Sequence, residues 1–225
     1  MTNPINKFLQ KVSNKPILLA GPTASGKSKF AMSLAIKLER QIVNADSRQV
    51  YSNWRILTAR PTPEDESIIQ HHLYGHKAPN EKYSVGHWLR ELSGILNTNK
   101  NIIIVGGTGL YFTALTEGLV NIPKISNKVK SLSKKKLNDS GVASLLKDLD
   151  METLENIDTK NPMRVARAWE VFQQTGKSLK RWHIETEPAI LPISECHPLV
   201  INPVKADLNK KIRLRFEQMI KMGAL

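Results

Sequence analysis

Residues 21–28 read Gly21-Pro22-Thr23-Ala24-Ser25-Gly26-Lys27-Ser28, two glycines and a Lys-Ser pair at the spacing G-x-x-x-x-G-K-S/T. Each residue type meets a physical need. The glycines let the backbone turn tightly, so that successive N–H groups point at one anion. A helix that follows adds the positive end of its dipole. Lys27 supplies a point charge to phosphates, and Ser28 a hydroxyl able to ligate Mg²⁺. The pattern predicts a bound phosphate chain and leaves its owner open. Nucleoside triphosphatases, kinases and transferases that release pyrophosphate all use such a loop.

A second group that could do chemistry is Asp46, just after Gln41 to Ala45, which reads as a second strand. A carboxylate at the carboxyl end of a parallel strand lies on the ligand-binding edge of the sheet. There it could hold Mg²⁺, act as a general base, or only cap a turn. Position alone leaves these open. The four histidines at 71, 72, 76 and 87 lack the i, i+4 spacing of a helical zinc pair with a catalytic Glu, and are expected to be surface or internally bonded side chains. Cys196 is the single cysteine. It excludes a disulfide within the chain and is expected to be structural.

These groups need a scaffold. Ile17 to Ala20 is a short apolar run before Gly21, as a buried strand would be. Lys27 to Leu38 carries Phe30, Ala31, Leu34, Ala35 and Leu38 at helical spacing. Ile102 to Val105 is continuously aliphatic, as in a parallel strand buried on both faces, and runs into Gly106-Gly107-Thr108-Gly109 and a helical Leu110 to Leu115. Strands alternating with helices predict an α/β fold, a parallel sheet flanked by helices. The middle is richer in Lys and Ser. Asn161-Pro162 opens an amphipathic stretch from Met163 to Thr175 that Gly176 can stop. Four prolines mark 188–203 as a connection with one strand at Leu199 to Ile201, and 206–222 reads as a final basic helix. The expected organisation is a core over 1–123, a small basic helical insertion domain over 124–185, and a return to the core over 186–225.

The 225 residues carry 33 Lys+Arg against 20 Asp+Glu, a formal net charge of +13. That excess favours a polyanionic partner such as nucleic acid, because each neutralised phosphate releases counterions. No apolar run approaches the roughly 18 residues needed to span a membrane. The first residues show neither a secretory apolar core nor an Arg-rich targeting pattern, so a cytoplasmic location is expected.

Four segments occur in a telling order: 21–28; Asn44-Ala45-Asp46-Ser47-Arg48-Gln49-Val50-Tyr51; Thr58-Ala59-Arg60-Pro61; and Val105-Gly106-Gly107-Thr108-Gly109-Leu110-Tyr111. Together they resemble the tRNA dimethylallyltransferases, also called isopentenyltransferases. Pro162 to Val171 resembles the insertion-domain helix of that family, and Arg213 to Met219 its later Arg-Phe-x-x-Met segment, with Arg215 as the Arg. The resemblance implies a P-loop NTPase-like core and a reaction. Gly21, Thr23, Ala24, Ser25, Gly26, Lys27 and Ser28 would hold the pyrophosphate of dimethylallyl diphosphate, with Mg²⁺ on Ser28. Asp46 would take the proton from N6 of the adenosine beside the tRNA anticodon. Thr108 would lie near the reacting centre, and Arg215 would neutralise the leaving group. Asp46, Ser47, Arg48 and Gln49, with Met163, Arg164, Val165, Ala166 and Arg167, correspond to tRNA-contacting stretches. A monomer is implied.

Three departures from the family pattern stand out. Met163 occupies a position where relatives carry Gln or Arg. Lys211 stands where they often have Arg, keeping the charge but losing the planar fork. Family members continue with further helices past the residues matching Met222 to Leu225. Rival readings are a small-molecule kinase, an adenylate prenyltransferase and a non-catalytic RNA-binding protein. A kinase needs an acid after an apolar strand, whereas Val105 leads into Gly106-Gly107-Thr108.

Overall fold

A computed structural model describes Phe8 and residues 12–224. The chain divides into two compact units, one running to Glu117 and resuming at Ala189, the other spanning Gly118–Pro188. The first unit holds β1 (Ile17–Ala20), α1 (Lys27–Leu38), β2 (Gln41–Asn44), α2 (Arg55–Thr58), α3 (Pro63–Ile68), β3 (His71–His72), α4 (Val85–Thr98), β4 (Ile102–Gly106) and α5 (Gly109–Glu117). The second holds α6 (Asn127–Leu146), α7 (Met151–Asn156), α8 (Pro162–Thr175) and α9 (Leu179–Ile184). The first unit closes with β5 (His197–Val200) and α10 (Lys205–Lys221).

The five strands form one sheet in the order β3-β2-β4-β1-β5, and every pairing is parallel. All four connections therefore cross over, and every strand ends on the same edge. The central strands are those with unbroken aliphatic runs. Every residue of β4 is buried, as a strand covered on both faces requires. The outer strand β5 tolerates Pro198 because one of its edges has no partner, and its Val200 is 74% exposed. Ile17, Leu19, Ile42, Ile103 and Val105 of the sheet pack with Ala31, Leu34 and Ala35 of α1. That contact anchors the helix opened by the Lys27-Ser28 pair.

No element is expected from the sequence between residues 51 and 101, yet α4 is a full helix there. Ser84 caps it, accepting from His87 N while the His87 ring pairs back to the Ser84 N–H. Trp88, Leu92 and Leu96 recur every four residues and are buried. Trp88 stacks on Tyr111 of α5 at 4.6 Å and donates through Nε1 to the Asn44 carbonyl at 2.7 Å. The short β3 accounts for two of the histidines: His71 pairs with Ile69 O at 2.7 Å, and His72 with Gln41 Oε1 at 2.9 Å. His76 pairs with Glu91 at 2.8 Å.

In the second unit α6 is broken at Gly141, whose φ of 68° with ψ of −173° is a conformation open essentially to glycine alone. Asn161 caps α8 by accepting from Met163 N and Arg164 N, Pro162 fills the first turn, and Gly176 ends it at φ 68°. The core of this unit is Leu145, Leu149, Val165, Ala166, Ala168 and Trp169.

The closest approach in the sheet lies where β4 ends. A Cβ on Gly106 would stand 2.0 Å from the carbonyl oxygen of Ala45, a backbone atom with nowhere to move. Gly106→Ala is therefore expected to destabilise the fold by about 3 kcal/mol or more, read as a lower denaturant midpoint with the slope unchanged.

Candidate active site

Every candidate catalytic and phosphate-binding residue of the first unit lies at the carboxyl edge of the sheet. After β1 the chain turns at Gly21, where a Cβ would lie 2.9 Å from Ser25 Oγ and 3.1 Å from the Ile201 carbonyl oxygen. The loop then takes two left-handed residues in three, Ala24 at φ 62° and Gly26 at φ 87°, before Lys27 opens α1. Such a turn points consecutive N–H groups into one concavity, at the positive end of the helix. Ala24 adopts this conformation without being glycine, a local strain of order 1 kcal/mol. The Ser25 hydroxyl is buried and has no hydrogen-bond partner among the described residues.

A cavity of about 600 Å³ opens in front of the loop. Thr23, Ala24, Ser25, Gly26, Lys27 and Ser28 line one side, Asp46, Arg48 and Gln49 a second, and Lys211, Arg215, Gln218, Met219 and Met222 a third. The third set comes from one face of α10 and the Met222 that caps its end, as the spacing of three and four along the helix dictates. Sequence reasoning singled out only Arg215 and Lys211 from that face. Leu57, Thr58 and Ala59 also border the cavity, and the Gln49 amide holds that segment by donating to the Thr58 and Ala59 carbonyls at 2.7 and 3.1 Å. Gln49 thus has a structural task on the cavity wall.

The charges in the cavity influence one another. Burial pulls the Lys27 ammonium below the usual lysine range; the negative charge of Asp46 opposes this and the positive charge of Arg215 adds to it. Arg215 is also lowered by burial and partly restored by Asp46. Lys27 Nζ donates to the Pro22 carbonyl at 3.2 Å. Gly107 marks how near the two signs come: a Cβ on it would lie 3.7 Å from Lys27 Nζ and 3.9 Å from Asp46 Oδ2. Asp46 Oδ1 accepts from Arg48 N at 2.9 Å.

Thr108 and Ser47 do not border the cavity. Thr108 Oγ1 accepts from Ser47 N at 3.0 Å, and Thr108 N donates to the Ala45 carbonyl at 3.3 Å. Thr108 therefore ties the end of β4 to the turn carrying Asp46. In the second unit Met163 is 74% exposed, and with the exposed Arg164 and Arg167 it borders a cavity of about 320 Å³. Val165 and Ala166 correct the expectation of a continuous tRNA-contacting run. Both are buried in the unit's core, because successive residues of a helix point in different directions and only one face is free. Their side chains are unavailable to a nucleic acid.

Fold and site define a phosphate-loop protein of the α/β class, with a carboxylate facing its anion site. The family described as IPP transferase matches residues 49–225, and the tRNA dimethylallyltransferase of Cereibacter sphaeroides is 46% identical over 224 residues, 100% of this chain and 71% of that protein. The chain belongs to the IPP transferase family, whose members are prenyl-transferring enzymes. The tRNA dimethylallyltransferase of Dinoroseobacter shibae is 48% identical over 216 residues, 95% of this chain and 72% of that protein. A eukaryotic dimethylallyltransferase crystallised acting on tRNA superposes with a TM-score of 0.78 at 25% identity, covering 94% of this chain and 54% of that chain. The tRNA isopentenylpyrophosphate transferase of Bacillus halodurans superposes with a TM-score of 0.56 at 27% identity, covering 94% of this chain and 67% of that one.

The state of Lys27 predicts how anion affinity varies with pH. A bound anion favours the ammonium, and burial has lowered its pKa. The Lys27 contribution to pyrophosphate affinity is therefore full below that pKa and is lost as pH rises through it, starting below the ordinary lysine range. Calorimetric titration across alkaline pH should show that fall, and Lys27→Ala should weaken binding and flatten the profile.

Proposed function

We propose that this chain transfers a dimethylallyl group from dimethylallyl diphosphate to N6 of the adenosine beside a tRNA anticodon, releasing pyrophosphate. One observation carries the reading: the phosphate loop, Asp46 and Arg215 border a single cavity at the sheet edge. The loop amides, Lys27 and the otherwise unpaired Ser25 hydroxyl bind the diphosphate. Arg215 approaches from α10.

The exocyclic amine of adenine is a poor nucleophile, its lone pair delocalised into the ring. Asp46 accepts the N6 proton as the N6–C1 bond forms and the C1–O bond breaks, and the electron pair of that bond leaves with pyrophosphate. Such a base is worth ~10²–10⁴-fold in rate. Lys27 and Arg215, fixed beforehand, stabilise charge gathering on the leaving group. One donor of this kind is worth about 3 kcal/mol. Thr108 acts through the turn that carries Asp46.

The residues present fit a Mg²⁺ ion. This metal keeps most of its waters and takes one or two protein oxygens beside substrate phosphates. The exposed Ser28 hydroxyl on the cavity wall is a suitable donor. Among the described residues there is no cluster of three or more His, Cys, Asp or Glu that would build an all-protein metal site. Bound there, Mg²⁺ would add positive charge to the diphosphate.

For the tRNA, Arg48 in the first unit and Met163, Arg164 and Arg167 in the second are the exposed candidates. The net charge of +13 suits such a partner. We assign the protein to the cytoplasm as a monomer. Among the described residues no helix is long and apolar enough to cross a membrane.

Labelled dimethylallyl diphosphate, Mg²⁺ and unmodified tRNA test the reading. Label in tRNA is expected; label in free AMP, or in neither, overturns it. Asp46→Ala should cut kcat by ~10²-fold or more while pyrophosphate binding stays nearly intact. Arg164→Ala and Arg167→Ala should each weaken tRNA binding and reduce its log–log salt dependence by about one unit.

A further inference from the structure

Asn44, the last residue of β2, is fully buried. Its carboxamide makes three hydrogen bonds. Oδ1 accepts from Asp46 N at 2.8 Å, and Nδ2 donates to Asp46 O at 2.9 Å and to Leu73 O at 3.0 Å. One side chain thus grips the backbone of Asp46 on both its donor and its acceptor. The grip is itself anchored. Trp88 Nε1 donates to the Asn44 carbonyl at 2.7 Å, and Leu73 follows β3 in the left-handed conformation at φ 62°.

The carboxylate end shows the result. Oδ1 of Asp46 is occupied by the Arg48 N–H at 2.9 Å. Oδ2 is the oxygen near Gly107, where a Cβ would lie 3.9 Å from it and 3.7 Å from Lys27 Nζ. With the backbone held at both ends and one oxygen taken, the carboxylate presents the other to the cavity.

We propose that Asn44 is a positioning residue for Asp46, and that its carboxamide makes Oδ2 the proton-accepting oxygen. This rests on the reading of Asp46 as the base. Only an amide does the job at this site, because the acceptor and both donors must come from one short planar group. Asp would lose the donors when ionised, and Ala would strip both side-chain bonds from the Asp46 backbone, leaving its carbonyl the Gln49 N–H at 3.2 Å. Misplacing a reacting group by an ångström costs up to about 10²-fold in rate.

The test uses the full chain, with transfer to unmodified tRNA for kcat and calorimetry with inorganic pyrophosphate for the anion site. Asn44→Ala is expected to lower kcat about 10- to 100-fold, with the pyrophosphate Kd unchanged within about twofold. Asn44→Asp gives a second readout that survives if the first variant fails to fold. Facing two carbonyls in a buried site, the new carboxyl has its pKa held above the usual range. Protonated, it still accepts from Asp46 N and donates to one carbonyl; ionised, it donates to neither. Its kcat relative to wild type should therefore be highest at low pH and fall as pH rises through that pKa. The proposal is overturned if Asn44→Ala keeps wild-type kcat, if its Kd rises in step with the loss of kcat, or if the Asn44→Asp ratio is flat with pH. A wild-type chain that transfers no prenyl group, or an Asp46→Ala variant with full activity, instead overturns the base assignment and this role with it.

Discussion

Three parallel strands bring their carboxyl ends within contact of one another, and the chemistry of the protein depends on that spacing. Gly106 is set so close to the Ala45 carbonyl that a methyl group has no room. Gly107, one residue on, faces Lys27 from α1 and Asp46 from the turn after β2. A phosphate loop supplies only half of a group-transfer site. An acid near enough to share its substrate would be the other half, and the close backbone approach at Gly106 and Gly107 brings Asp46 beside Lys27.

Around that junction the structure spends its buried polar groups on orientation. Asn44, Trp88 and Thr108 all bond to backbone near Asp46. Lys27 and Arg215 are both partly stripped of water and both feel the Asp46 charge. Partial burial strengthens each charge toward a ligand, because less solvent screens it. Two cations lining one cavity suit an anion carrying several negative charges better than one carrying a single charge.

The second unit follows a different logic. Its core is small, and α8 divides cleanly between a buried face of Val165, Ala166 and Trp169 and an open face of Met163, Arg164 and Arg167. A contiguous run of residues in a motif is thus not a contiguous surface. Helical geometry splits the run, leaving the cationic side chains outside and the small apolar ones inside.

Much was legible in the linear chain. The phosphate loop announced itself by glycine spacing, β1 and β4 by unbroken aliphatic runs, α1 by its stripe, and α8 by its stripe and caps, because these signals arise from neighbours a few residues apart. The short β3 carried no such signal, and its pairing with Ile42 and Val43 depends on a strand almost thirty residues away. The α4 helix did carry one, a Ser84 cap and a four-residue apolar spacing, although the polar residues around it obscured the pattern. Asp46 could be read as base, metal ligand or turn cap from its position alone. Only folding sets a buried amide behind its backbone, an N–H on one oxygen, and the charges of Lys27 and Arg215 within reach of its own. The face of α10 that walls the cavity was likewise decided in three dimensions, since a basic amphipathic helix does not specify which surface it will cover. Local order follows from short-range sterics and periodicity, which a sequence displays. The active geometry follows from long-range packing, which it does not.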